Sequence, residues 1–468
     1  MSNKKKDIFP MLFLPQVKSA DAIFFQLVHK LHKVLPLKNK FKAALPGDIK
    51  RLSKNLTESR SEISKDYMGA AATFSAYFFF FLPWNLYRMG RLFTGLKLEL
   101  EDGAVIADVG SGPLTAPIAM WMSSPHLREK KLEFICLDIS PRAMRDGMKL
   151  FESIAGKETP WRIHQVKGSV GTRLRKRADL VIAANVINEL QWGGNTPMEY
   201  QAERMVNTLS SMVTPEGRIL LVEPGVRRSG MILRALRSEF LDSGYVPLAP
   251  CTHCEECPMT AIDKAPWCHF NFGVGGAPQW LKDLSFKAGL HKRNVSMSFL
   301  YLTRAENFTP AGGVRSISEN FPTKPGFSGQ YGCCEKGLTL VQTSAREMVR
   351  PGTLLQDPWP EKPEKDRSGA LIFPVEKAML NPMKQDGAGP RWGKQDDEPR
   401  PVAKNASFKG GRPKNMDEKT AKYKRIRPNS PRARNNDEGG GWSTNPGGPK
   451  SGYKGGNKGG YKGGNKKR

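Results

Sequence analysis

From Gly103 onward one alternation repeats along the chain: a short apolar, β-branched run, then an amphipathic stretch with apolar positions three and four apart. AVIADV is followed by LTAPIAMWM, and KLEFICLDI by PRAMRDGMKLFESI. RIHQVKG, ADLVIAANV, EYQAERMVNTLSSMV and RILLVEP continue the series. The short runs read as buried strands and the longer ones as helices packed against them. Strands alternating with helices of this length predict an α/β fold with a parallel, doubly wound sheet. After Pro224, GMILRALRSEFLDSG predicts a further helix, and SMSFLYLTR, starting at Ser296, a late strand that returns to the sheet.

Residues 1–100 read instead as a helical region, with basic faces in LVHKLHKVLPLKNKFKAAL and a capping-box pattern at Ser59-Arg60-Ser61-Glu62. AAATFSAYFFFFLP, from Ala70 to Pro83, is shorter than the ~20 residues of a spanning helix and is interrupted by proline, so it predicts a buried helix and no membrane partner. The opening MSNKKKDIFPMLFLP has a basic start, but Pro10 and Pro15 break its apolar run and no small-residue cleavage site follows; it reads as uncleaved, with no clear transit peptide. Residues 101–360 form the predicted α/β domain, with a cysteine-rich segment at residues 250–334. Beyond Pro360 the periodicity gives way to Pro, Gly, Lys, Arg and Asn, ending in SGYKGGNKGGYKGGNKKR. Such a composition buries too little surface to offset chain entropy, so residues 361–468 are expected to be a disordered basic tail.

Charge sharpens this picture. The 468 residues carry a net +28, and those after Val402 hold about half of it. A surplus of that size predicts a polyanionic partner, nucleic acid first and an anionic membrane surface second. In the tail, lysines can neutralise phosphates and the interleaved Tyr453 and Tyr461 can stack on unpaired bases, which predicts a nucleic-acid tether, with a merely solubilising tail as the alternative.

IADVGSGPLTAPIAM places Asp108, Gly110 and Gly112 where a strand turns into a helix. At such a turn bare backbone amides can approach a ligand at a positive helix end. FICLDIS ends the next strand at Asp138, positioned to accept hydrogen bonds from a ribose diol. Thr115 stands where a dinucleotide motif has its third glycine, which makes S-adenosylmethionine the better ligand. ADLVIAANVINEL ends a fourth strand at Asn185, with Glu189 following. These two are candidate catalytic residues at the strand edge, or residues that merely cap and solvate a helix. The Asn/Asp-Pro-Pro-aromatic grip of many amino-methyltransferases is absent, and no Cys follows this strand.

PCTHCEECPMTAIDKAPWCHF brings Cys251, Cys254, Cys257 and Cys268 together in a chain with seven cysteines. An odd number without a secretory signal argues against a disulfide framework and for thiols in a reducing compartment. Cys251-x2-Cys254-x2-Cys257-Pro is spaced like a ferredoxin cluster site. With His253 and His269 nearby, zinc is the alternative. Cys333 and Cys334, in QYGCCEKG, have a turn-like setting from which one could complete the site; Cys136, inside a predicted strand, reads as core.

The ordered combination of DVGSGP, LVEPG, APCTHCEECP, WCHF, FLYLTR and a late Cys-x-x-Gly resembles the methyltransferase-like proteins associated with the mitochondrial small ribosomal subunit and their bacterial relatives, over roughly residues 67–360. That resemblance implies a class I methyltransferase fold, an inserted cysteine region binding a 4Fe-4S cluster, and a role in small-subunit assembly on ribosomal RNA. It implies cluster ligands at Cys251 and Cys257 (C-x-H-x3-C-P), at Cys268, and at Cys334, where Cys334-Glu335-Lys336-Gly337 matches best, with Cys333 and Cys254 as alternates. The chain departs from the family at Leu114, where the glycine loop usually has another glycine. Three readings follow: a factor that keeps the fold for binding and assembly, an active rRNA methyltransferase with a zinc site, and a metal-dependent redox enzyme, for which no flavin or second-cluster motif is present. The expected setting is the cytoplasm in a bacterium or the mitochondrial matrix in a eukaryote.

Overall fold

The computed structural model describes residues 8–57, 67–260, 265–304, 306, 308–345 and 347–375. The first seven residues, the capping-box pattern at residues 59–62 and the basic tail beyond residue 375 lie outside the described residues.

Helices come first. α1 (Lys18–Val34) buries Phe24, Leu27 and Leu31, and α2 (Asn39–Thr57) buries Leu45, Ile49 and Leu52; Lys18, Lys33, Lys42 and Lys50 stay exposed. Each helix thus has one apolar stripe and one basic face. α3 (Ala71–Ala76) passes through a π-helical turn, Tyr77–Phe81, into α4 (Leu82–Leu96), and Phe74, Phe78, Phe79 and Phe80 are buried. The phenylalanine run is therefore core. Among the described residues no helix is long and apolar enough to cross a membrane.

The alternating segment then unfolds in order: β1 (Val105–Val109), α5 (Thr115–Ser123), β2 (Glu133–Asp138), α6 (Pro141–Ala155), β3 (Arg162–Lys167), β4 (Ala178–Ala184), α7 (Met198–Met212), β5 (Val213–Pro224) and α8 (Arg227–Asp242). It closes with β6 (Val246–Ala249), β7 (Phe270–Gly273), α9 (Gln279–Lys287) and β8 (Asn294–Thr303). Among the described residues these strands form one eight-stranded sheet in the order β3-β2-β1-β4-β5-β8-β6, with β7 also on β8. β1 to β5 are parallel, and β8 runs antiparallel between β5 and β6. This is the doubly wound order of the class I methyltransferase fold. Strand periodicity divides the core: Ile106, Leu180, Ile182, Leu220 and Val222 face the layer that contains α4 and α5, while Ala107, Val181, Ala183, Ile219 and Leu221 face α7 and α8.

A second sheet follows that the hydrophobic pattern did not announce. β9 (Val314–Ser316), β10 (Phe321–Pro322), β11 (Phe327–Cys334), β12 (Gly337–Ser344), β13 (Leu354–Leu355) and β14 (Leu371–Pro374) pair in the order β13-β9-β11-β12-β14, with β10 on β11. Several of these strands are only two or three residues long, too short for a period-2 signal. The ordered fold also continues past Pro360, since β14 pairs in parallel with β12. The domain boundary moves at least to Val375. Cys333 and Cys334 lie on β11, at its hairpin with β12, where Cys334 pairs with Gly337.

Candidate functional site

β1 and β4 are adjacent while their connections leave in opposite directions, so a switch point lies beyond their carboxyl ends, where ligands of open α/β sheets bind. The glycine turn sits there. Gly110 has φ +72° and Gly112 φ +53°, and the amides of Gly110 and Ser111 donate to the Leu137 carbonyl at 2.8 and 2.9 Å. A Cβ on Gly110 would lie 2.4 Å from Val186 Cγ2, whereas one on Gly112 would meet nothing within 4 Å. The first glycine makes room for protein and the second leaves open space.

Asp138 ties the turn to β2: its Oδ2 accepts from the Gly112 amide at 2.8 Å and its Oδ1 from the Ser140 amide at 2.7 Å. Burial pushes its carboxyl upward, and these two hydrogen bonds oppose that shift. Asp108 is 1% exposed and its Oδ2 has no partner. Burial, and then the nearby Asp138, push its carboxyl up to about 8. Leu114 is fully buried at φ +58°. It adopts the conformation a glycine would take freely, at a cost of ~1–2 kcal/mol. Gly147, on α6, was overlooked in the sequence, although an isolated glycine inside a helical pattern is a signal of close packing. A Cβ there would sit 2.4 Å from the carbonyl of Pro113, so α6 lies directly against the turn.

Asn185 follows β4 at φ +57°, its amide donating to Val222 O at 2.7 Å. Glu189 is exposed at the end of a 3-10 turn, Ile187–Glu189. Neither residue caps an α-helix, because α7 starts only at Met198. The turn is held by Glu223, 1% exposed at the end of β5, whose Oε1 accepts from the Ile187 amide at 2.9 Å. The N-terminal helices add polar groups that sequence reasoning did not assign to this edge. Arg88, on α4, donates to Ser296 O at 3.1 Å and to Asn85 Oδ1. Burial lowers it to about 10, with Tyr77 and Glu223 opposing. Tyr77, on the π-turn, is held above the usual phenol range by burial and then by Glu189 and Asp138. π-turns recur at functional sites. Glu223, the acid within LVEPG, was the one sequence clue to this group.

A separate cavity of about 40 Å³ is lined by Cys251, Cys257, Cys268 and Cys333, together with Arg237 and Arg315. It exceeds the ~10–15 Å³ that one water needs. Cys251 and Cys257 lie after β6, Cys268 precedes β7, and Cys333 comes from the second sheet. Successive side chains of a strand point to opposite faces. Cys333 therefore joins the cavity while Cys334, 2% exposed, packs with Val314, Val341 and Phe373, its Sγ 3.5 Å from Thr339 Oγ1. Sequence reasoning named Cys334 first and Cys333 as its alternate; in the fold it is Cys333 that lines the cavity, a placement set by strand register that C-C-x-x-G does not carry. Cys254 is exposed and does not line the cavity. Cys136 is fully buried in β2.

Burial, followed by mutual repulsion, pushes the Cys268 and Cys333 thiols well above the ordinary range and also raises Cys257. His253 Nε2 lies 3.1 Å from Cys333 Sγ. Burial, then Arg237, push this imidazole down to about 4. Among the described residues no group of three or more His, Cys, Asp or Glu is closed around a point that could hold a metal ion. The four thiols surround a shared space without converging on one centre.

The sheet order and the glycine turn at its switch point define a class I methyltransferase fold. Residues 102–305 match the family described as mitochondrial small ribosomal subunit Rsm22. The match spans the α/β domain and the positions of Cys251, Cys257 and Cys268 but not β11. No curated protein matches the chain. Among solved structures, YjhP of E. coli is 13% identical, covering 55% of this chain and 98% of that one with a TM-score of 0.29. An S-adenosylmethionine-dependent methyltransferase of Thiobacillus denitrificans, in complex with S-adenosyl-L-homocysteine, is 13% identical over 47% of this chain and 91% of that one, TM-score 0.28. A methyltransferase of Pyrococcus furiosus is 13% identical over 48% and 83%, TM-score 0.28.

Proposed function

We propose that this protein is an S-adenosylmethionine-binding, methyltransferase-like factor of the small ribosomal subunit that docks on ribosomal RNA, assists assembly or translation, and carries a structural iron-sulfur cluster. The observation that carries the reading is the glycine turn tied to Asp138 within a segment of the Rsm22 type. Each Asp138 oxygen accepts one amide in the structure, and a carboxylate oxygen has a second lone pair for a ribose hydroxyl. Open space at Gly112 admits the ligand, and the partnerless Asp108 oxygen suits the positive charge of a sulfonium or ammonium group. S-adenosylmethionine supplies an electrophilic methyl group when bound. Asn185, Glu189, Glu223, Tyr77 and Arg88 offer polar groups around it but no nucleophile, so their role is to bind and orient an acceptor. Its compartment is that of the ribosome it serves, and the net +28 suits the RNA.

For the metal, four thiols in a largely apolar, arginine-flanked cavity fit a thiolate-ligated group, held by Cys251, Cys257, Cys268 and Cys333. One zinc ion needs four sulfurs ~2.3 Å from a single point. A four-iron cluster is ligated by thiolates at separate corners of a larger body, and the four thiols lie around one cavity.

Calorimetry of the full chain with S-adenosylmethionine tests the cofactor site. Binding should occur and weaken about tenfold or more in Asp138→Asn, equivalent to ~1.4 kcal/mol; no heat at millimolar ligand removes this part of the proposal. Mapping rRNA modifications in a deletion strain beside a Gly112→Arg strain, whose new side chain enters open space at the turn, decides between chemistry and assembly. A methyl group missing in both makes the protein an enzyme, whereas an assembly defect with all modifications intact makes it a binding factor.

A further inference from the structure

Arg237 and Arg315 line the thiol cavity and are 4% and 1% exposed. Arg237, on α8, reaches into the Cys251–Cys257 loop: Nη2 donates to the carbonyls of His253 and Glu255 at 2.8 Å each, and Nε lies 3.3 Å from Cys251 Sγ. Arg315, on β9, donates to Pro250 O at 3.2 Å, Phe9 O at 2.6 Å and Gly352 O at 2.9 Å, while its Nη2 has no partner. Among the described residues neither guanidinium has a carboxylate partner. The charge-bearing groups acting on Arg237 are Cys251, Cys257 and Cys333, and the one acting on Arg315 is Cys251.

A guanidinium buried without a counter-charge carries a penalty of several kcal/mol. Carbonyl dipoles reduce that penalty, and neutral thiols add little. Thiolates would remove it, but four thiolates crowded into a dry cavity repel one another unless a metal centre binds them. The cationic walls and the thiol lining are complementary only when the occupant is a thiolate-bound centre of net negative charge. We infer that Arg237 and Arg315 are the counter-charges of that anionic centre, and that they set its reduction potential and its hold on metal. The inference rests on the proposed metal reading and adds to it the residues that govern the bound group. Reduction adds negative charge, so nearby cations favour the reduced state and raise the potential.

The test uses the full chain, reconstituted anaerobically with iron and sulfide and titrated with dithionite through redox dyes, monitored by visible and electron paramagnetic resonance spectra. Arg237→Gln keeps a hydrogen-bond donor and removes the charge; Arg237→Lys keeps the charge and loses the planar fork. At equal iron content, Arg237→Gln should be harder to reduce by about tenfold in the reduction equilibrium, ~59 mV for one electron, and Arg237→Lys should stay near the parent. Equal potentials in all three proteins, or equal shifts in both variants, overturn the inference. A parent chain that takes up no metal defeats the underlying reading instead. If the parent holds zinc, the iron assignment falls and release to a chromogenic chelator becomes the measurement. Release about tenfold faster in Arg237→Gln than in Arg237→Lys, ~1.4 kcal/mol, supports the counter-charge role, and equal rates overturn it.

Discussion

The glycine turn and the thiol cavity lie in one α/β scaffold and are built on opposite principles. The turn draws on residues 108–140, a strand, a loop, a helix and the next strand, and its working atoms are largely backbone amides. The cavity draws thiols from residues 251–333, through the end of β6, the start of β7 and a strand of another sheet. Local sterics suffice to shape the first. Tertiary register decides the second, and a group bound there joins the two sheets. Damage to the open side of the turn, at Gly112, should therefore cost more ligand than stability, whereas damage to the cavity should cost both.

The largest effect expected is at Cys333. Cys333→Ser should abolish the visible chromophore of anaerobically purified protein and lower its thermal midpoint, because metal binding contributes directly to folding. Cys334→Ser places a hydroxyl where a thiol is buried, at a cost of ~1–3 kcal/mol, and should keep the colour. Colour lost in Cys334→Ser and kept in Cys333→Ser would reverse the ligand choice and break the comparison.

At the turn, Gly110→Ala meets both a positive φ and Val186 at 2.4 Å, so it should destabilise by ~2–4 kcal/mol. Gly112→Ala carries only the strain, ~1–2 kcal/mol. Its methyl occupies space open to ligand, so it should weaken S-adenosylmethionine binding out of proportion to its effect on unfolding. Denaturant curves paired with calorimetry separate the two. Equal losses in both measurements for both variants would mean that the open space at Gly112 is not ligand space.

The two regions also differed in how far they were legible. Asp108, Gly110, Gly112 and Asp138 stood out because the need for a bare backbone at a strand end is written within a few residues. Cys251, Cys257 and Cys268 stood out by proximity. The choice between Cys333 and Cys334 required the pairing of β11 with β12, and strands as short as Phe321–Pro322 leave no period to read. Tyr77 and Arg88 reach the sheet edge only through packing of helices far away in sequence. Glu223, inside a motif already noticed, was missed because its partner is a backbone amide of another strand's loop.

Asp108 gives a pH test confined to the turn. Its carboxyl is raised from 3.8 to about 8 in the folded chain, so between those values the folded state holds a proton that the unfolded state lacks. Its contribution is fully present below pH 3.8 and is lost as pH rises through about 8. Asp108→Asn lacks that titration. Relative to the parent it should gain ~1.4 kcal/mol or more between pH 5 and 7, read from urea midpoints. Parallel stability profiles would show that Asp108 is charged or solvated in the folded protein.

The smallest effect is expected at Cys254, and it bears on the comparison as directly as the largest. Cys254 stands midway between Cys251 and Cys257 at ferredoxin spacing, so a site read from local spacing alone makes it a ligand. In the fold it is exposed and outside the cavity lining, and Cys333 from the second sheet takes the place that spacing would assign to it. Surface substitutions away from special features change stability by no more than ~0.5 kcal/mol. Cys254→Ser should therefore leave metal content, colour and thermal midpoint unchanged. Loss of metal from this variant would make the site local after all and remove the distinction between a turn encoded in adjacent residues and a cavity assembled by tertiary register.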